Sequence, residues 1–125
     1  MDINLPEIHA EMCAVFARYE DALVNNKVDV LDELFWPSEF TVRYGAGENL
    51  RGIEAIRAFR LARPSTGLAR TLDHTVITTF GRYFATTSTE FHRRGSSNIG
   101  RQQQTWVRFA EGWRVVAAHV SVLIV

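Results

Sequence analysis

A phenol, a group of guanidiniums and one histidine are the side chains in this sequence whose types and spacing suit chemistry. Tyr19 lies in "EMCAVFARYEDAL", on the stripe that Ile8, Met12, Phe16 and Leu23 mark at helical spacing. Its ring belongs in a core, and a buried hydroxyl needs a partner. That partner is a backbone carbonyl if the residue only packs, and a ligand if it does more. Arg43 stands in "TVRYGAGE", just before two glycines. Strand alternation puts Thr41 and Arg43 on one face and Phe40, Val42 and Tyr44 on the other. Turned inward, its planar fork suits a carboxylate; turned outward, it is a solvated edge residue. Glu48 follows the glycines and is placed to pair with Arg43 or Arg51. Arg60 and Arg63 close "GIEAIRAFRLAR", where cations suit the helix dipole, and one of them is available to line a cavity mouth.

The closing stretch "GRQQQTWVRFAEGWRVVAAHVSVLIV" poses a choice between a pocket wall and a sheet with a polar outer face. Arg101, Gln103, Thr105 and Val107 share one face of a strand; Gln102, Gln104, Trp106 and Arg108 share the other. Neither set is cleanly apolar. In the last strand alternation groups Trp113, Val115, Ala117, His119 and Ser121 against the apolar Val116, Ala118, Val120 and Val122. His119 is a candidate general base, although a histidine in an apolar strand is more often a hydrogen-bonded core group. His74 and His92 lie on separate strands, no HxH or HExxH occurs and there is one cysteine, Cys13, so neither a metal nor another cofactor is expected. Nucleotide-binding and serine-hydrolase patterns are absent.

The elements that must hold these groups read in order. Pro6 starts a helix that "NNK" breaks. "VDVLDELF" is a short second helix closed by Pro37. "EFTVRY" is a strand, "GAGEN" a turn, and "GIEAIRAFRLAR" a third helix ended by Pro64. Two pairs of strands follow. "ARTLDHTVITTF" and "YFATTSTEFHRR" flank "GR"; "GRQQQTWVRFA" and "GWRVVAAHVSVLIV" flank "EG". Helices followed by antiparallel strands make an α+β protein, with the sheet curved around the long helix into a cone. A chain of 125 residues with 46% apolar content suits a single domain over 1–125. Its zero formal net charge gives no reason to expect nucleic acid or an anionic membrane as partner. The lone cysteine and the lack of a secretory leader lead to a cytoplasmic expectation.

This order, with its closing "GW…AHVS" strand, resembles the nuclear-transport-factor-2-like superfamily, also called SnoaL-like or cystatin-like. "RYGAGENLRGIEAIRAFRLAR" and "GRQQQTWVRFAEGWRVVAAHVS" are more closely similar to the AtzH-like group of oxalurate and cyanuric-acid catabolism. The resemblance implies a cystatin-like cone of three N-terminal helices packed on a curved, mainly antiparallel sheet. It also implies a decarboxylating amidohydrolase acting on a small carboxylated urea or ureido acid, with Tyr19 and Arg43 as the functional pair. Gln103 departs from the group pattern, where a small residue is expected. The alternative is a non-catalytic ligand-binding or accessory module in ureide catabolism.

The expected site therefore has Arg43 holding a substrate carboxylate and Tyr19 transferring a proton. Trp36, Phe40, Glu48, Arg63, Gln104, Trp106 and His119 complete it, and Trp36, Phe40 and Trp106 keep it dry. Aromatic and apolar residues on both faces of the strands from Leu72 onward lead to the expectation of a homodimer through the sheet.

Overall fold

A computed structural model describes residues 1–125. Helix α1 (Pro6–Val24) opens on the proline, whose missing N–H costs nothing in a first turn. It buries Ile8, Met12, Phe16, Tyr19, Ala22 and Leu23, the stripe read from spacing. It stops where Asn26 takes a left-handed conformation (φ 50°), which asparagine tolerates better than most residues. A short α2 (Val28–Glu33) follows, then β1 (Val42–Tyr44), β2 (Asn49–Arg51) and α3 (Ile53–Ala62). The remainder is β3 (Thr71–Phe80), β4 (Phe84–His92), β5 (Ile99–Phe109) and β6 (Gly112–Leu123).

The architecture is a cystatin-like α+β fold. Six strands form one sheet in the order β2-β1-β6-β5-β4-β3, antiparallel except that β1 runs parallel to β6. The helices are not all N-terminal to the sheet, because β1 and β2 intervene before α3. The expected "GAGEN" turn reverses the chain so that Tyr44 pairs Asn49, and the short strand β2 that this opens was not expected. The first long hairpin turns through three residues, Gly81 to Tyr83, since Phe80 pairs directly with Phe84. The second turns through Ala110 and Glu111, with Gly112 at φ 123° opening the strand.

One side of the sheet is covered by α1. The core joins the α1 stripe to Leu31, Leu34, Phe35, Ile53, Ile56, Ala85, Trp106, Trp113, Val115 and Ala118. Trp106 is fully buried and meets Tyr19 edge-on, ring centroids 6.1 Å apart, a geometry favourable for aromatic pairs.

One expected face assignment is corrected. The β5–β6 register slips between Thr105 and Trp106: Thr105 pairs Ala117, but Trp106 pairs Val115. The extra residue on β6, Val116, is a β-bulge, and alternation changes phase there. Trp113 and Val115 therefore share the inner face with Ala118 and Val120. Ala117, His119 and Ser121 go to the outer face, opposite Thr105, Gln103 and Arg101.

Candidate functional site

The site is built on the inner face, between α1, the C-terminal end of α3 and the middle of β5. Tyr19 is 4% exposed, wedged between Phe35 and Trp106. Its hydroxyl takes no hydrogen bond from the chain, so the backbone-bonded core tyrosine is not what forms. The groups nearest in charge are cationic: a phenolate at Tyr19 would raise the pKa of both Arg60 and Arg63.

Arg43 pairs in register with Ala118 on the inner face. Its Nη1 donates to Glu48 Oε1 at 2.8 Å, and its guanidinium lies 5.5 Å from the centre of the Phe59 ring. Glu48 Oε2 accepts from the Gly47 N–H, which completes the anchoring of the carboxylate. The Glu48 carboxylate lies against Gly45, where a side chain would displace it.

Arg60 is 4% exposed, lies over the Phe35 ring at 4.2 Å and donates to Asp32 Oδ1 at 2.7 Å. Burial lowers its pKa from the usual arginine value; Tyr19 and Asp32 oppose that shift. Arg70 is held more tightly still. It makes two bonds to Glu20, at 2.9 and 2.7 Å, a third to Gln102 Oε1 at 3.1 Å, and stacks on Phe91 at 4.5 Å. Gly100 sits opposite Phe91, and a side chain there would overlap that ring.

Arg63 differs from these. The following Pro64 disfavours the helical conformation at Arg63, which is extended (ψ 150°) and caps α3. Its Nε and Nη2 are buried and have no hydrogen-bond partner. Those two atoms are one edge of the fork that binds a carboxylate bidentately. Its pKa is lowered, first by burial and then by Arg43, Arg60 and Arg93, while Tyr19 opposes. Arg93 is lowered too, by burial and by Arg70, and donates its Nη1 to the Gly67 carbonyl at 2.8 Å. Arg43, Arg60 and Arg70 each have a carboxylate; Arg63 and Arg93 have none. Two further buried donors lack acceptors, Gln102 Nε2 and Gln104 Nε2. Surplus positive charge and unfilled donors suit an anion with acceptor oxygens.

Tyr19, Arg43, Glu48, Arg63, Gln104 and Trp106 thus converge on one side of the sheet. Three expected residues do not. Phe40 is 71% exposed: the strand expected over "EFTVRY" is only Val42–Tyr44, and Phe40 lies in the turn before it. Trp36 stacks on Phe109 at 5.6 Å in a surface groove with Pro37, Arg57 and Arg114. His119 lies on the outer face, edge-on to Tyr44 at 6.0 Å, in a depression lined by His74, Ser88, Arg101 and Gln103. That depression owes its polarity to exposed side chains. Arg60, Arg70 and Gln102 were not expected in the site. For Gln102 a signal existed, because it shares strand parity with Gln104. For Arg60 the helix-dipole explanation was sufficient and masked its burial. Arg70 had no sequence signal, since its partner Glu20 lies 50 residues away.

Fold and site together define a cystatin-like α+β protein with a cationic interior. The chain belongs to the AtzH-like family, whose model matches residues 1–124. It is 65% identical to a Pectobacterium atrosepticum protein of unknown function, over 98% of this chain and 95% of that one, with a TM-score of 0.97. It is 47% identical to a cystatin-like fold protein from Burkholderia xenovorans, over 100% of this chain and 98% of that one, TM-score 0.96. A putative ketosteroid isomerase from Shewanella frigidimarina shares the fold at 17% identity, TM-score 0.72, over 91% of this chain and 97% of that one. No curated protein matches the chain. No helix is long and apolar enough to cross a membrane.

Proposed function

We propose that this chain is a decarboxylating amidohydrolase that acts on a small carboxylated urea or ureido acid. The observation that carries the reading is the buried, unpartnered Nε/Nη2 edge of Arg63, beside Arg43 and Tyr19. Leaving guanidinium donors buried without acceptors is costly, and a substrate carboxylate removes that cost. Arg43 is half of the clamp, already oriented by Glu48; Arg63 is the open half.

The decarboxylation step, which consumes no water, is R–CO–NH–COO⁻ + H⁺ → R–CO–NH₂ + CO₂. The bond between nitrogen and the carboxyl carbon breaks, its electron pair stays with nitrogen, and the Tyr19 hydroxyl supplies the proton. A phenol is a donor at neutral pH. The phenolate left behind faces Arg60 and Arg63, whose charges stabilise it until water returns a proton. Trp106 and Phe35 exclude water from the Tyr19 ring, which strengthens those interactions. A second copy of the chain on the outer face of the sheet is part of the proposal, because that face exposes Val76 and Phe84.

The test is to incubate the purified protein with N-carboxylated ureas and ureido acids and to follow CO₂ release and amide formation by NMR. Catalysed release above the spontaneous rate supports the reading. Ligand-induced thermal stabilisation without any release would instead favour a binding or accessory module of ureide catabolism.

A further inference from the structure

We propose that Gln102 and Gln104 are a pair of neutral hydrogen-bond donors aimed at the substrate's carbonyl oxygen, and that Arg70, Thr87 and Trp106 are the residues that aim them. The inference rests on the interior being the reaction site and assigns it a part that Tyr19 and the arginines do not supply.

A glutamine amide can lie either way round; a donor-only neighbour decides it for Gln102, and a hydroxyl in need of an acceptor favours one way for Gln104. Arg70 has no acceptor atom, and its Nη2 lies 3.1 Å from one end of the Gln102 amide, so that end is the oxygen. The NH₂ group must then turn away from Arg70. Trp106 Nε1–H also only donates, and it gives its proton to Thr87 Oγ1 at 3.1 Å. The Thr87 hydroxyl has no other acceptor in the chain for its own proton and donates it to Gln104 Oε1 at 2.9 Å. The Gln104 NH₂ is turned away in its turn. The two glutamines are 4% and 2% exposed, stand two residues apart on one strand face, and both NH₂ nitrogens are buried without an acceptor. Glu20 holds Arg70 through two bonds, so one of the two aiming devices is itself braced.

The chemistry gives such a pair a use. As the bond from nitrogen to the carboxyl carbon breaks, the electron pair that passes to nitrogen is shared with the adjacent carbonyl oxygen. That oxygen gains negative charge only in the transition state. Neutral donors bind the ground-state carbonyl weakly and the developing oxyanion more strongly, which lowers the barrier. The charged forks are left for the carboxylate. Gln102 and Gln104 are the catalytic residues in this assignment; Arg70, Thr87 and Trp106 are positioning residues.

The experiment uses two readouts. The first is turnover of an N-carboxylated urea by the parent, Gln102→Met, Gln104→Met, Thr87→Val and Thr87→Ser. The donor pair requires kcat to fall about 100-fold in Gln104→Met, the scale for one oxyanion donor, and substantially in Gln102→Met. Thr87→Val should behave like Gln104→Met, and Thr87→Ser, which restores the hydroxyl, should recover most of the loss while KM changes little. The second readout is binding, by thermal shift, of ureidoacetate against pentanoate, a carboxylate of similar length with no urea carbonyl. The parent should prefer ureidoacetate, and both glutamine variants should lose that preference. Gln102→Glu and Gln104→Glu, which keep the shape and the accepting oxygen, serve if a methionine does not fold. Parental kcat and parental preference in folded glutamine variants overturn the donor pair while leaving the proposed reaction intact. No turnover by the parent, together with a ureidoacetate preference that the glutamine variants lose, overturns the reaction and keeps the donor pair. A parent that turns over nothing and prefers neither probe overturns both.

Discussion

At the residue scale, Tyr19 and Arg63 are the two side chains whose environments fit function better than stability. Tyr19 is buried among aromatic rings, yet its hydroxyl bonds to nothing in the chain. Tyr19→Phe is therefore expected to leave the melting temperature within experimental error while kcat falls by about 100-fold or more, the scale of a lost proton donor. A hydroxyl that served packing would show the reverse, a stability loss with activity retained. Arg63 is held near Arg43, Arg60 and Arg93 with its fork unfilled. Removing its charge in Arg63→Gln should raise the melting temperature slightly, by a few degrees at most, because solvent on its exposed side screens the repulsion. The same variant should lose the stabilisation that small carboxylates confer on the parent. A variant that melts lower and still binds carboxylate would show that Arg63 is structural.

At the element scale, two glycines set the shape of the site from the sheet. In "YGAGE" the turn between β1 and β2 folds the Glu48 carboxylate over Gly45, and from there it orients Arg43. Gly45→Ala would displace the flexible end of Glu48 rather than the backbone. The expected outcome is a stability loss under about 1 kcal/mol with a several-fold rise in KM. Gly100 faces the rigid Phe91 ring, on which Arg70 and Arg93 both lie. Overpacking against an aromatic ring has no cheap relief, so Gly100→Ala should cost about 1–3 kcal/mol by denaturant unfolding. Equal stability losses for the two alanines would show that the overlaps relax in the same way.

At the scale of the whole molecule, α1 covers only the inner face of the sheet. The outer face carries Tyr44, Ala117 and His119 near its centre and Val76 and Phe84 toward β3 and β4. A second copy seated there would bury these groups about a two-fold axis. Light scattering at micromolar concentration should then report twice the 14.2 kDa chain mass. Ala117→Arg, in the middle of that face, should shift the species toward the single chain without unfolding it. A parent that scatters as a single chain would remove the dimer from the proposal.

Much of this architecture was determined by the sequence alone. The helical stripe from Ile8 to Leu23 could bury only one side of α1, and its spacing placed Tyr19 on that side. Alternation in "TVRY" put Arg43 on the face opposite Val42 and Tyr44, whereas Phe40 is exposed because it lies in the turn before β1. Prolines and asparagines marked where α1 and α3 end, because they restrict backbone torsions locally. What sequence could not decide depended on contacts between distant residues. The bulge at Val116 carried His119 to the outer face, and a single inserted residue in a register leaves no trace in local pattern. The burial of Arg60 and Arg70 was set by Asp32 and Glu20, which lie 28 and 50 residues away along the chain. The direction of the two glutamine amides was set by Arg70 and by the relay from Trp106 through Thr87. Local periodicity records which face a side chain takes; only tertiary structure brings together the charges and donors that give that face its chemistry.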